Sequence, residues 1–324
     1  MMEYFTQQNI IIFIIALLIV WILYSTYRNS IKTLQKYNLE HMVDLSAPKR
    51  EVTWGIDPSC NYKMTQVYVD ILNEYNIKHN NKDWVLYFPC SYNNAYQEID
   101  KVQLKDPDQR VFIVTNTDEI SSKSDLWKNI LEKYGREEAL KISPKTYILY
   151  NNNDLELFKK EYSPSKLYIM KKNIQRQEGI KITSDKDDVL NGYNDKYVVA
   201  QELLDDPYLV RGRKTNMRFY LLLVCKNNEV DAYVHNDGFM YYTKVPFKKN
   251  SSNFDTNVTT GYIERWIYKV NPLTHQDFRN YLDDHNRDLL ESEKEIIRGN
   301  QKLSKVVFDR VYELLKKVVV AVKN

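Results

Sequence analysis

Cysteine is scarce in this chain, and its spacing excludes the common metal-binding motifs. The three cysteines, Cys60, Cys90 and Cys225, form no C-x-x-C pair and show no metal-ligand spacing with the five histidines. An odd number of cysteines without such pairing is typical of reduced thiols rather than of a disulfide framework. We therefore expect three reduced, buried cysteines.

An excess of charge of either sign is also missing. The formal net charge is +3 for 324 residues, and no basic stripe with interleaved aromatic residues is present. Nucleic-acid binding driven by backbone electrostatics needs such a stripe, so we expect no nucleic-acid partner. Glycine is scarce too, with 8 residues, whereas Tyr, Asn, Lys and Ile are abundant. This bias suggests an AT-rich genome, for example that of a large DNA virus.

The N-terminal region contains a long stretch without charge. Ile10 to Tyr24 is an unbroken apolar run of 15 residues, and no charged residue lies between Tyr4 and Tyr27. The uncharged stretch is long enough for one helix to cross a hydrocarbon core of about 30 Å. The sequence therefore predicts a membrane anchor over residues 1–27, with residues 10–27 in contact with the membrane.

Charges on the two sides of this stretch predict its orientation. Only Glu3 precedes it, whereas Arg28, Lys32 and Lys36 follow it. Positive residues favour the cytoplasmic side, so we expect a single-pass protein with its N-terminus outside and its C-terminal part in the cytosol. Bulky residues after the run favour an uncleaved anchor over a signal peptide. A polar tether over residues 28–50 would join the anchor to the rest.

Beyond the tether, helical and strand patterns alternate, which is typical of an α/β protein. We expect an N-terminal α/β lobe over residues 51–150 and a second part over residues 151–324. Helices are predicted over Met64–Tyr75, near Asp125–Tyr134, over Asp283–Gly299 and over Ser304–Asn324, and strands over Trp84–Pro89 and Arg110–Thr115.

Basic and glycine residues in the second part fall where a phosphate-binding site needs them. A short strand would carry Lys171, a polar loop would carry Arg176 and Gly179, and a later strand would carry Lys214 and Arg218. Side chains alternate along a strand, so the last two would share one face. The spacing thus predicts several cations beside one another.

Apolar residues continue this later strand on its opposite face. Asn216 lies between the two cations on their face, whereas Met217 and Phe219 lie on the other. They lead into the apolar run Leu221–Val224, which favours a buried strand.

Two blocks of sequence resemble the tubulin-tyrosine ligase-like family of ATP-grasp enzymes. The first, YIMKKNIQRQEGI, is similar to the family's W-I-x-K-P-x-x-x-x-R-G-x-G-I, and the second, QELLDDPYLVRGRKTNMR, to its Q-x-Y-I-x-x-P-L-L-I-x-G-x-K-F-D-L-R. The resemblance extends from about residue 55 to the C-terminus. The matching residues are Tyr168, Ile169, Lys171, Arg176, Gly179, Ile180, Gln201, Pro207, Gly212, Lys214, Arg218 and, further on, Asp237, Gly238 and Phe239.

The resemblance implies an ATP-grasp fold and an ATP-dependent ligation. In that chemistry a carboxylate becomes an acyl phosphate, an amine attacks it, and Mg2+ bridges the phosphates, commonly to add an amino acid to tubulin tails. By this resemblance Lys214 and Arg218 would be catalytic, with Arg218 facing the acyl phosphate. The nucleotide would contact Lys123, Lys171, Arg176, Gly179, Gln201, Glu202, Leu203 and Lys214.

Several residues depart from the family pattern at its catalytic centre. Asn216 stands where the family has the aspartate of K-F-D-L-R, and Tyr241 stands where it has an arginine. The sequence also ends before the family's strand pair with an aspartate and the E-x-N that binds Mg2+, so we expect an ATP-grasp-like domain without these metal-site strands. We interpret Glu202, Asp205, Asp206 and Asp237 as solvated charges rather than as replacement ligands for Mg2+. Weak or no catalysis is therefore expected.

Three functions remain open from the sequence. The first, which we favour, is a membrane-tethered relative that binds nucleotide and has weak or lost ligase activity. The second is an active ligase that adds an amino acid to tubulin or another protein, with carboxylates from other positions. The third is a membrane-anchored interaction scaffold without a ligand.

Overall fold

A computed structural model describes residues 51–60, 64–90, 95–114, 116–174, 178–226, 229–260, 263–284 and 302–323. The predicted anchor and tether lie outside these residues. Within them, no helix is both long and apolar enough to cross a membrane. The chain divides into two compact units between Ile113 and Val114, so the boundary predicted at residue 150 falls inside the second unit.

The first unit contains a parallel sheet, as expected for alternating helices and strands. Its strands have the order β2-β1-β3-β4. Among the described residues of this unit, the buried apolar ones are Leu72, Trp84, Tyr87 and Ala95. The elements are β1 (Thr53–Gly55), α1 (Gln66–Glu74), β2 (Lys78–His79), β3 (Leu86–Tyr87), α2 (Ala95–Ile99) and β4 (Arg110–Val111), which confirms the helix predicted from Met64 and the two predicted strands.

Cys60 and Cys90 form a disulfide, so the prediction of three reduced, buried thiols is wrong. The two cysteines follow β1 and β3, which are adjacent parallel strands. Their carboxyl ends lie at the same edge of the sheet, and this brings together residues that are 30 positions apart in sequence. Spacing alone could not reveal the pair, because the connection depends on the strand order. Cys225 is free, but it is exposed rather than buried.

Removing this disulfide is expected to destabilise the first unit. Cys60→Ser with Cys90→Ser restores the conformational freedom of a loop of about 30 residues in the unfolded chain, which costs about 2–4 kcal/mol of stability. Hydrogen exchange measured by mass spectrometry should show faster exchange in β1 and β3. Cys225→Ser is the matched control and should leave exchange unchanged. Equal protection in the double variant and the wild type would contradict the prediction.

The second unit begins with two helices and an antiparallel sheet of order β5-β8-β6-β7. One face of this sheet is apolar and buried, with Tyr147, Tyr168, Met170 and Ala200 packed around Phe158. The elements are α3 (Asp118–Ser121), α4 (Lys123–Ala139, kinked at Gly135), β5 (Thr146–Ile148), α5 (Asn152–Glu161), β6 (Tyr168–Lys172), β7 (Ile180–Thr183), α6 (Lys186–Leu190), a 3-10 helix (Gly192–Asp195) and β8 (Tyr197–Glu202).

A second antiparallel sheet, of order β14-β13-β10-β9, follows in the same unit. Met240 and Tyr242 from this sheet are fully buried against Ile267, Phe278 and Phe308 of the helices. The elements are β9 (Leu209–Val210), β10 (Arg213–Arg218), β13 (Phe239–Thr243), α7 (Phe254–Asn257), β14 (Thr259–Thr260), α8 (Trp266–Val270), α9 (His275–Asp284) and α10 (Leu303–Val322). The predicted C-terminal helix is therefore confirmed, whereas most of the helix predicted over Asp283–Gly299 lies outside the described residues.

The apolar run Leu221–Val224 is not a buried strand, contrary to the prediction. It belongs to β11 (Leu221–Lys226), which pairs with β12 (Glu229–Val234) in a two-stranded sheet. Leu222 is 53% exposed and its cross-strand partner Tyr233 is 56% exposed. A short apolar run shows only that a segment is apolar, and here strand pairing leaves one face of the hairpin open to solvent.

Candidate functional site

Lys171 is placed by the alternation of side chains along β6. Tyr168 and Met170 point into the core, so Ile169 and Lys171 point to the opposite face of the sheet. Gln201 lies on that same face, since it pairs with Ile169 across β6 and β8. The Lys171 Nζ donates a hydrogen bond to Gln201 Oε1, and Gln201 Nε2 donates to Thr146 Oγ1 at 2.7 Å. A neutral amide therefore orients the partly buried amine.

Lys123 reaches the same site from the first turn of α4. Ser122 caps this helix by accepting from the Asp125 amide, which fixes where the helix begins. The Lys123 Nζ donates to the Ile174 carbonyl at 3.2 Å. Asn173 also links the helix to the end of β6, because its Nδ2 donates to Ser122 Oγ at 3.3 Å.

Lys214 comes from β10, in the second sheet. Its Nζ donates to the Leu204 carbonyl at 3.2 Å and lies 5.7 Å from the centre of the Phe247 ring. Lys123, Lys171 and Lys214 thus come from a helix and two sheets of one unit, and the charges of the other two act on Lys171. The structure brings these three predicted residues together.

The electrostatics of the lysines favour an anion. Burial, followed by the charges of Lys123 and Lys214, lowers the pKa of Lys171 to about 8. Burial also lowers the pKa of Lys123 and of Lys214. Among the described residues, none of the three forms an ion pair with a carboxylate. A bound anion would stabilise all three charged forms at once, which is what a phosphate group can do here.

The turn between β6 and β7 depends on Gly179. Its φ is +70°, and a Cβ there would lie 2.7 Å from Lys172 Cγ, so both the backbone conformation and the space favour glycine. The Lys172 amide donates to the Gly179 carbonyl at 2.9 Å and closes the hairpin beside Lys171. Arg176, also predicted in this loop, lies outside the described residues.

The segment at the end of β8 is held by its own backbone. The backbone amide of Glu202 donates to the Lys145 carbonyl at 2.9 Å, and the backbone amide of Leu203 donates to the Leu167 carbonyl at 2.8 Å. The carboxylate of Glu202 forms an ion pair with Lys166. These two amides are therefore engaged within the protein, and a ligand beside this segment would use other backbone groups or side chains.

A small cleft lies next to this segment and next to Lys214. Its free volume of about 20 Å³ is room for roughly one water molecule. A purine base would enter only if lining side chains moved, and Phe247 is the bulkiest of them. The cleft is lined by Ser165, Lys166, Leu167, Glu202, Leu203, Leu204, Asp205, Phe247, Asn250, Ser251 and Asn257.

Arg218 lies on the predicted face of β10 but makes a different contact from the lysines. The side chains of Lys214, Asn216 and Arg218 lie on one face of β10, and those of Arg213, Thr215 and Met217 lie on the other. Arg213 is buried and Met217 is half-buried, whereas Asn216 and Arg218 are exposed, as the period of two predicts. The Arg218 guanidinium lies 4.8 Å from the ring centre of Tyr241, on the neighbouring strand β13. No described contact joins Arg218 to the three lysines, so its predicted catalytic role stays a prediction.

The donor set for a magnesium ion does not assemble in the described part of the chain. No group of three or more His, Cys, Asp or Glu side chains there could hold a metal ion. Asp237 instead accepts hydrogen bonds from the amides of Gly238 and His275, at 2.8 and 2.9 Å. Its carboxylate positions the start of α9.

Thr146, Ser122 and Asn173 support the lysines, and the sequence patterns did not identify them. Each acts through a contact of high sequence separation, from 51 to 55 residues. A short polar residue at a helix start is a recognisable cap, so Ser122 carried some signal. Thr146 and Asn173 carried none, because their partners depend on how the strands pair.

Comparison with known proteins supports the predicted resemblance. The model of the Tubulin-tyrosine ligase family matches residues 102–320, more than half of the chain. Tubulin glycylase 3B of Drosophila melanogaster is 23% identical over 213 aligned residues, which cover 58% of this chain and 27% of that protein. The chain therefore spans less than a third of this relative. The family match contains every predicted site residue, although it begins after the predicted start near residue 55.

Proposed function

Since this chain belongs to the Tubulin-tyrosine ligase family, we propose that it binds a nucleoside triphosphate, ATP, through Lys123, Lys171 and Lys214 and has weak or no ligase activity. The observation that carries the proposal is that the charges of Lys123 and Lys214 act on Lys171, whose amine is held by the neutral amide of Gln201. Structural lysines on a sheet face normally pair with carboxylates or extend into solvent. In the described residues none of the three pairs with a carboxylate; Lys171 is largely buried, and Lys123 and Lys214 are half-buried and donate to backbone carbonyls.

Each group would hold a different part of the ligand. Lys171 would donate to a phosphate oxygen in place of its bond to Gln201, and Lys123 would do the same from the start of α4. The charge of Lys214 acts on Lys171, and Lys214 contacts Leu204 and Phe247, which line the cleft, so it would bridge phosphate and base. The base would enter the cleft after movement of Phe247. These contacts position the ligand and neutralise its charge, as phosphate sites generally do.

Magnesium does not enter this proposal, because the described residues do not supply its ligands. Mg2+ usually takes one or two carboxylates with phosphate oxygens and water. Glu202 is paired with Lys166, and Asn216 offers an amide where the family pattern has aspartate. The proposal of weak or absent ligation is based on these residues.

Calorimetry with AMP, ADP and ATP, with and without Mg2+, tests the proposal on the full-length protein. Affinity should rise with each added phosphate by about tenfold, since each gains a charge-assisted hydrogen bond. Lys214→Met should weaken the binding of ATP more than the binding of AMP. Lys159→Met is the matched control, because Lys159 is exposed and pairs with Glu156 within α5. No binding by the folded protein would instead support an interaction scaffold.

A second candidate is an active ligase that acts on a tubulin tail or another protein tail. The name of the Drosophila relative, a tubulin glycylase, favours it. Incubation of the full-length protein with tubulin, ATP, Mg2+ and labelled glycine, glutamate or tyrosine distinguishes the two candidates. We expect little incorporation. Robust ATP-dependent incorporation that Arg218→Ala abolishes would establish the ligase and the catalytic role of Arg218.

We also propose that residues 10–27 anchor the protein in a membrane. The support comes from the uncharged run and the flanking charges, and residues 1–50 are not described. One observation opposes the cytosolic placement of the domain, because disulfides such as Cys60–Cys90 are rare in reducing compartments. Retention of the protein in vesicles through an alkaline wash tests the anchor, and protease protection of those intact vesicles, probed on the C-terminal domain, tests the orientation. Digestion without detergent would support the N-out, C-in orientation, and protection would reverse it.

A further inference from the structure

Lys171 has the properties of a nucleophilic amine as well as those of a phosphate ligand. It is more deeply buried than Lys123 or Lys214, and both of these repel its charged form. Its hydrogen-bond partner is the carbonyl oxygen of Gln201, which holds one N–H and leaves the nitrogen lone pair directed elsewhere. Amine nucleophiles in proteins are commonly activated by burial next to other cations.

We propose that Lys171 is a covalent modification site that takes an acyl group from an acyl phosphate. The proposal uses the same lysines as the proposed function but does not need a nucleotide. Lys123 and Lys214 would bind the phosphate of the donor and so present its acyl carbon to Lys171. An uncharged acyl donor would gain nothing from these two cations, which gives the site its selectivity.

The step balances without a further reactant. The neutral Lys171 amine attacks the acyl carbon, and the bond from that carbon to the bridging phosphate oxygen breaks. The oxygen leaves with the bonding electrons, and the amine proton passes to the phosphate. The products are an N-acyl-lysine and inorganic phosphate. The flanking cations stabilise the negative charge that develops on the leaving group.

The low pKa of Lys171 raises the supply of the reactive form. With a pKa of about 8, roughly a quarter of the amine is neutral at pH 7.5 before an anion binds. An ordinary lysine has about 0.1% neutral amine at that pH. The phosphate of a bound donor raises the pKa of Lys171 again, and a less basic amine is a weaker nucleophile, so both effects reduce this gain. Together with the placement of the acyl carbon beside the amine, a net advantage of about tenfold is expected.

Acetylation of the full-length protein by acetyl phosphate, mapped by mass spectrometry at pH 7.5, tests the proposal. Lys171 should be acetylated about tenfold faster than Lys141, which is exposed and pairs with Glu138. Inorganic phosphate should slow the reaction at Lys171 and leave Lys141 unaffected. Lys214→Met should reduce acetylation of Lys171 about fivefold, and Lys171→Arg should abolish the site without unfolding the protein.

Two comparisons separate this proposal from the others. With p-nitrophenyl acetate, an uncharged donor, the preference for Lys171 should shrink, because phosphate no longer directs it. Protection by phosphate without protection by ATP would leave the modification site standing and contradict the nucleotide proposal. Equal rates at Lys171 and Lys141, or no effect of phosphate, would overturn the modification site.

Discussion

Replacing Lys171 with methionine is expected to weaken ATP binding about 30-fold to 100-fold. Methionine keeps the apolar length of the side chain and removes the charged donor. A hydrogen bond from a charged group contributes about 1.5–3 kcal/mol, and burial places this one near the upper end. Calorimetry on Lys171→Met and the wild type measures the change directly.

The reason to expect a large effect is the position of Lys171 among the other cations. It is the lysine on which the charges of both Lys123 and Lys214 act, so a phosphate on it is also close to them. Lys171→Arg keeps the charge, but a guanidinium needs more space and a different hydrogen-bond geometry, so we expect an intermediate loss.

The matched control lies on the neighbouring strand. Lys181 on β7 is exposed and pairs with Asp188, and it is not one of the three lysines of the proposed site. Lys181→Met should change ATP affinity less than twofold. Equal losses for Lys171→Met and Lys181→Met would mean that nonspecific charge attracts the ligand, and the proposed site would then be incorrect.

The strand patterns predicted the part of this site that depends on local sequence. The period of two placed Lys214 and Arg218 on one face of β10 and Met217 on the other, as the structure confirms. The glycine at position 179 was expected in a turn, and its positive φ gives the physical reason. Alternation is a property of the strand itself, so it is readable without knowing the partner strands.

Features that depend on strand pairing could not be predicted. The Cys60–Cys90 disulfide requires β1 and β3 to be neighbours, and nothing in the spacing specifies that order. The exposure of Leu222 depends on the two-stranded pairing of β11 with β12. The support of Lys171 by Gln201 needs the register of β6 against β8. Each of these is a nonlocal contact, whereas periodicity reports only local structure.

Lys171→Met is also expected to stabilise the protein at neutral pH, by up to about 3 kcal/mol. Burial and two neighbouring cations lower the folded-state pKa of Lys171 from 10.5 to about 8. Below pH 8 the lysine is charged in both states, so the folded state carries the whole cost of burying the charge. A residue kept for ligand binding at the expense of stability would behave in this way.

The sign of the pH dependence follows from proton uptake and distinguishes this effect from simple apolar burial. Between pH 8 and 10.5 the unfolded chain binds more protons at Lys171 than the folded protein does, so the free energy of unfolding of the wild type rises with pH. The advantage of Lys171→Met should therefore narrow by about 2 kcal/mol between pH 7 and pH 9.5. Any gain from burying methionine is independent of pH and remains constant. Urea unfolding of both proteins at the two pH values measures the difference.

Buried tyrosines change the free energy of unfolding with pH in the opposite direction, so their contribution has to cancel when the wild type and Lys171→Met are compared. Burial raises the pKa of Tyr147 and Tyr242, so their contribution to stability is fully present below pH 10 and is lost above it. Both proteins contain these tyrosines, and the difference between the two proteins removes their effect. A difference that stays constant from pH 7 to pH 9.5 would show that Lys171 titrates normally in the folded protein. The site would then lack the electrostatic repulsion on which anion binding and the reactivity of Lys171 both depend.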